Sequence, residues 1–207
     1  MEAIFGSRQV ANTVIDVLSK YLPREVEKIM ADLKTSDAKP ENFMRFLAMS
    51  LKKRVTTSKA QQIMLEIKHL LARMIKVEFP AELKFVKNSE TIGKIKVTNL
   101  CDVPLRVKVK LTQATRKFTS IICLPTDKMP RNEVTREFII APGMAHTFNF
   151  LFKADVMGVQ DLNELKRKGS IDFDVKVEIK SHIDGIKFSG KFKVIMYKSY
   201  GLMESGP

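Results

Sequence analysis

Basic and amide side chains meet where two apolar-periodic segments join. Lys52-Lys53-Arg54 closes one segment, and Ser58-Lys59-Ala60-Gln61-Gln62 opens the next. Two helices joined by a short turn, with Ser, Lys and Gln starting the second, can contact phosphates and base edges. The same residues have purely structural uses. Cations suit a helix C-terminus, and Ser with Gln three positions on can form a capping box. A second basic set lies at alternating positions: Lys94 and Lys96; Arg106, Lys108 and Lys110; Lys187, Lys191 and Lys193. On strands these point to outer faces, and strands sharing a sheet would merge them into one surface for phosphates or an acidic protein. Phe173, Phe188 and Phe192 keep step with the core positions, which disfavours base stacking. Lysines on edge strands also block unwanted strand pairing.

Catalytic chemistry finds less material. His69, His146 and His182 fall on a helix face, at a strand start and beside a hairpin, none with a ligand partner at short spacing. No Walker loop, Gly-x-Gly-x-x-Gly or Gly-x-Ser-x-Gly occurs, and nine glycines leave little for a phosphate cradle. Asp172 and Asp174 share a strand face, but Lys176 follows on it, so the stripe reads as solvated. Asp155, Asp161 and Glu164 lack the spacing of a calcium loop. Cys101 and Cys123 read as reduced and partly buried. No catalytic, cofactor or metal residue is assigned, and the chain is read as a non-enzyme.

The elements that position these residues follow from a change of hydrophobic period near Ile75. Before it, apolar residues recur every three or four positions, as on one helix face; after it, every second position, as on one strand face. The first part holds about four helices. Ser7 caps the first, Arg8 to Tyr21, with Val10, Val14, Val17 and Leu18 along one face. Val26, Ile29, Met30 and Leu33 mark the second, and Phe43, Met44, Leu47 and Leu51 the third. Ser58 and Gln61 open the fourth, whose stripe is Ile63, Met64, Ile67, Leu70, Leu71 and Met74. No Gly-, Pro- or Ser-rich linker follows, so the helices are expected to run straight into the β part and to hold a fixed relation to it.

The β part reads as about eight antiparallel strands. Three are clear alternations, at Leu105–Leu111, Ile171–Ile179 and Ile186–Met196, the last two joined by a hairpin at His182-Ile183-Asp184-Gly185. Others fall at Leu83–Val86, Thr91–Thr98, Phe118–Leu124, Val134–Ile140 and His146–Phe152. Asp161 is placed to cap a short crossover helix that ends at Gly169. Ile95-Lys96-Val97-Thr98-Asn99-Leu100-Cys101-Asp102-Val103-Pro104-Leu105, and Ile139-Ile140-Ala141-Pro142-Gly143 before Phe148 and Phe150, resemble hairpins of immunoglobulin-like sandwiches in cytosolic adaptor and appendage domains. The resemblance covers residues 77–197 and implies a sandwich at superfamily level. The chain has no Trp for the core position of antibody domains, and Cys101 and Cys123 are too close for their disulfide.

The fold class expected is therefore α+β: a helical bundle over 1–75, an immunoglobulin-like sandwich over 76–200 and a flexible tail over 201–207. A hydrophobic content of 44% fits a globular protein. The longest apolar runs are far too short to span a bilayer, and no secretory signal opens the chain, which gives a cytoplasmic expectation. The net charge of +13 is spread along the chain, with fourteen Lys/Arg against eight Asp/Glu in residues 1–76 and twenty-two against fifteen in the rest. The function expected is protein–protein interaction or assembly, with a homodimer among the possible forms. The alternative is a basic nucleic-acid binder using the fourth helix (Lys52, Lys53, Arg54, Lys59, Gln61, Gln62) or the lysine-rich sheet face (Arg106, Lys108, Lys110, Lys187, Lys191, Lys193).

Overall fold

The period change marks the passage from helices to strands. In the computed structural model, which describes residues 2–204, five helices precede the first strand: α1 (Glu2–Phe5), α2 (Arg8–Tyr21), α3 (Val26–Thr35), α4 (Phe43–Lys52) and α5 (Thr57–Ala72). Two residues, Arg73 and Met74, separate α5 from β1 (Ile75–Glu78). The one-turn α1 is additional to expectation. Ser7 is the N-cap of α2, its hydroxyl accepting from Val10 N at 3.1 Å. The cap of α5 is not Ser58. Thr56 holds an extended backbone and accepts from Lys59 N, so the helix begins at Thr57 and Ser58 lies within its first turn.

The remaining elements are β2 (Glu82–Val86), β3 (Glu90–Asn99), β4 (Leu105–Gln113), β5 (Ile122–Cys123), β6 (Glu133–Ile140), β7 (Ala145–Lys153), α6 (Val159–Lys168), β8 (Ser170–Ser181), β9 (Lys187–Tyr197) and α7 (Tyr200–Glu204). The fold is α+β, with seven helices and nine strands among the described residues. The strands form a four-stranded sheet, β1-β3-β7-β5, and a five-stranded sheet, β2-β9-β8-β4-β6. The two pack face to face as a β-sandwich-like body: rings of Phe152 on β7 and Phe192 on β9 meet at 5.8 Å, and alternate residues of β4 and β8 are buried between them.

Four expectations need correction. The pairing is antiparallel except for β2, which runs parallel to β9. Pro80 lacks the N–H that would carry the pairing of β1 onward, and the chain passes to the other sheet there. The strand expected over Phe118–Leu124 shrinks to Ile122–Cys123, because the preceding loop spends its carbonyls on the Gln113 carboxamide and Pro125 follows. Asp161 does not cap α6. Gly158 is the N-cap, and Asp161 turns inward to 7% exposure. The tail is ordered to Glu204 as α7, with Leu202 against the left-handed Gly169 (φ 81°) that ends α6; residues 205–207 lie outside the described residues.

One apolar core runs through both parts, from Phe5, Leu18, Leu47 and Leu71 to Phe150 and Val175. Two loops lock the helices to the sheets. The β8–β9 hairpin loop buries Ile183 completely and donates Asp184 N to Pro40 O at 2.7 Å. In the β3–β4 turn, the Asp102 carboxylate accepts from the Ser7 hydroxyl and from Gln9 N (3.0 Å), while Asp102 N donates to Gln9 Oε1 (3.0 Å). Burial opposes ionisation of Asp102, yet those donors outweigh it and hold the group below the usual carboxylate range. Asp102→Ala removes an acceptor from the start of α2 and is expected to lower stability by about 1–2 kcal/mol. A denaturant midpoint unchanged in this variant would show that the turn does not anchor α2.

Candidate interaction surfaces

The sheet-face residues come together only in part. Arg106, Lys108 and Lys110 on β4 and Lys187, Lys191 and Lys193 on β9 share the outer face of the five-stranded sheet, with β8 between them. Lys94 and Lys96 belong to the other sheet. Acidic side chains thread the face: Lys108 pairs with Glu137 (3.2 Å), Lys110 with Glu133 (2.8 Å) and Lys193 with Asp172 (3.8 Å). One run of cations stands in register, Lys108 beside Lys180 beside Lys187, of which Lys108 is the one paired with Glu137.

The helix-turn-helix residues divide as well. Arg54 is held inside the helical part at 16% side-chain exposure, donating to Asp32 (2.7 Å) and to Ser50, with Glu25 at 3.4 Å. These contacts hold Asp32 below its ordinary pKa, the Arg54 hydrogen bond first. Lys52, Lys53, Lys59, Gln61 and Gln62 are exposed; of these, Lys52 and Gln61 line a groove between α4 and α5 together with the exposed Leu65.

Sequence reading missed the best-built surface feature, at the corner between β4, β5 and α6. Gln113 ends β4 and is buried. Its carboxamide nitrogen lies 2.7–2.8 Å from the carbonyls of Thr115, Arg116 and Thr119, and its oxygen accepts from Ile121 N. Arg116 takes a positive φ of 54° and reaches across to Asp161 and Glu164, both at 2.8 Å, and to Asp172 O at 2.6 Å. Thr119 donates to Asp161 (2.5 Å) and accepts from Gly158 N (3.0 Å). Arg116, followed by Lys168, lowers the Glu164 pKa to about 2. This pinned loop presents Phe118 at 82% exposure, beside Val159 at 75%, over a depression of ≈ 730 Å³. The signal available was Phe118 itself, read as the start of a strand; the buried amide that bends the chain away from that strand left no periodic trace.

The histidines act locally. His182 Nδ1 accepts from Arg106 N (3.2 Å), and His146 stacks on Phe138. Among the described residues, no three His, Cys, Asp or Glu side chains gather where they could hold a metal ion, and no helix is long and apolar enough to cross a membrane. Cys101 and Cys123 are free and buried, and burial pushes both thiols up.

No protein-family model and no curated protein matches the chain. Among solved structures, it is similar to Escherichia coli alpha-2-macroglobulin activated by porcine elastase, at 16% identity and TM-score 0.39, over 60% of this chain and 9% of that one. The YadV chaperone shares 12% identity at TM-score 0.35, over 60% of this chain and 51% of that one. The complex of zinc 2-glycoprotein with prolactin-inducible protein from human seminal plasma shares 10% identity at TM-score 0.38, over 58% and 92%. The chain thus spans a small part of the first and about half of the second.

Proposed function

We propose that this chain is a non-catalytic protein–protein interaction or assembly protein of the cytoplasm, in which a helical bundle and an immunoglobulin-like sandwich form one rigid platform. The observation that supports the reading is Phe118. A phenylalanine left in water forgoes about 1.5–3 kcal/mol of burial, and here a dense hydrogen-bond network holds it outward. Rigidly presented aromatics over a depression are the usual anchors of interfaces. The partner is an acidic protein rather than a second copy, since two chains each carrying +13 repel.

Phe118→Ser is expected to weaken capture of that partner by about 30-fold or more, with an unchanged circular dichroism spectrum. The test is an affinity capture from the native cell with nuclease treatment, followed by light scattering of the purified protein. Capture that ignores the substitution, or a stable homodimer by mass, overturns the reading. A second reading, nucleic-acid binding, draws on the run Lys108–Lys180–Lys187. It requires capture that nuclease abolishes and an affinity that falls steeply with salt.

A further inference from the structure

The sandwich is open along one side, between β6 at the edge of one sheet and β7 in the other. Main-chain direction on β7 follows from its bonds. Asn99 N on β3 donates to Met144 O, and Lys153 N donates to Ile121 O beside β5. Even-numbered residues therefore face β3 and odd-numbered ones face away. β5 covers the outward edge only through its pairing of Ile122 and Cys123 with Phe152 and Leu151. Pro125 has no N–H to extend that ladder. The outward N–H and C=O groups of Thr147 and Asn149 face no strand.

Beside this bare edge lies a cleft of ≈ 350 Å³. Its apolar lining is Phe138 and Phe148, rings 4.0 Å apart, with His146 4.7 Å from Phe138. Its polar feature is Arg136. Position 136 has the parity of the buried Val134 and Ile140, so its side chain leaves β6 toward the cleft side, where it is exposed. Among the described residues it has no carboxylate partner within ion-pair distance, and it donates to the Thr126 hydroxyl at 3.4 Å. The neighbouring Glu137 also lines the cleft, but its carboxylate is taken up by Lys108 at 3.2 Å.

We infer that the β7 edge is a strand-addition site for an extended peptide segment of a partner protein, carrying an apolar side chain for the Phe138–Phe148 pair and a carboxylate for Arg136. Main-chain bonds to Thr147 and Asn149 supply affinity, and alternate side chains supply specificity. A cation on the cleft side rejects a wholly apolar strand, because the added strand would leave it covered and unpaired. A second copy added through the same edge would bring another Arg136 rather than a carboxylate. The inference rests on the protein-interaction reading above but uses a surface distinct from Phe118.

The test titrates the ¹⁵N-labelled full chain with synthetic peptides of about eight residues, alternating Val and Thr around one central Glu. The Glu peptide is expected to shift the Thr147 and Asn149 amides and slow their hydrogen exchange about tenfold or more, with the Lys counterpart at least about tenfold weaker. Backbone N-methylation of the peptide should abolish binding, and Arg136→Glu should reverse the Glu/Lys preference. Equal binding of the two peptides, shifts confined to other residues, or self-association that protects the same amides overturns the proposal. Phe118→Ser should leave the titration unchanged. Failure of the peptides with intact Phe118-dependent capture removes this site and leaves the interaction reading standing.

Discussion

Gly185→Val is expected to lower stability by about 3–5 kcal/mol, combining backbone strain with overpacking. That corresponds to a fall of roughly 10 °C in the unfolding midpoint for a chain of this size. Gly185 has φ 89°, a region that β-branched residues scarcely occupy, and a Cβ there would stand 2.6 Å from Leu71 Cδ1. A surface leucine would swing aside. Leu71 is fully buried on α5 and has nowhere to go. The strain also lands where the parts join: Ile183 is fully buried and Asp184 N bonds Pro40 O in the same loop. Because helices and sheets share one core, the variant should unfold in a single transition seen equally by far-ultraviolet circular dichroism and by probes in either part. Two transitions, with only one displaced, would mean that the helical part is stable without the sandwich.

The same junction shows what periodicity could and could not reveal. The switch from helical to strand period at Ile75, the cap at Ser7 and the αL stop at Gly169 were all legible, because each depends on nearest neighbours in the chain. The Asp-Gly pair was legible as a turn, and Gly185 does take a positive φ. Its docking on Pro40 was not, since no local pattern records a contact across 144 positions. The lysine alternation correctly placed side chains on outer faces. It could not say that β3 and β4 lie in different sheets, or that Glu133 and Glu137 on β6 would neutralise Lys110 and Lys108. The Phe118 corner was hidden for a similar reason. Gln113 occupies a core position in the β4 alternation, and its amide organises the loop only because the burial there is complete. The open β7 edge depends on Pro125 ending β5 early, which is visible only once β5 is known to pair with β7.

Arg116→Ala is expected to cost about 3 kcal/mol and to abolish Phe118-dependent binding together with it. Removing the guanidinium leaves the Asp161 carboxylate buried with Thr119 as its remaining partner, and a buried charge stripped of its counter-ion is destabilising by several kcal/mol. It also releases Asp172 O and the positive φ that turns the loop toward solvent. Phe118 is then free to fold onto the surface. Acid should mimic part of this effect. The Glu164 pKa stands at about 2, lowered chiefly by Arg116 and then by Lys168. A depressed carboxylate stabilises the fold above its unfolded pKa of about 4.3. That contribution is lost as pH falls through the folded value. The wild-type protein should thus lose stability between about pH 5 and 2 through this group, and Arg116→Ala should lose less over the same window. Carboxyl NMR titration of Glu164 reads the pKa directly and should place it higher in the variant, with Lys168 still holding it below the ordinary range. Glu164→Gln separates the two roles of the arginine. It abolishes the pH-linked part yet keeps the Arg116–Asp161 pair, so Phe118-dependent binding should survive. Loss of binding in Glu164→Gln at neutral pH would transfer control of the loop from Asp161 to Glu164.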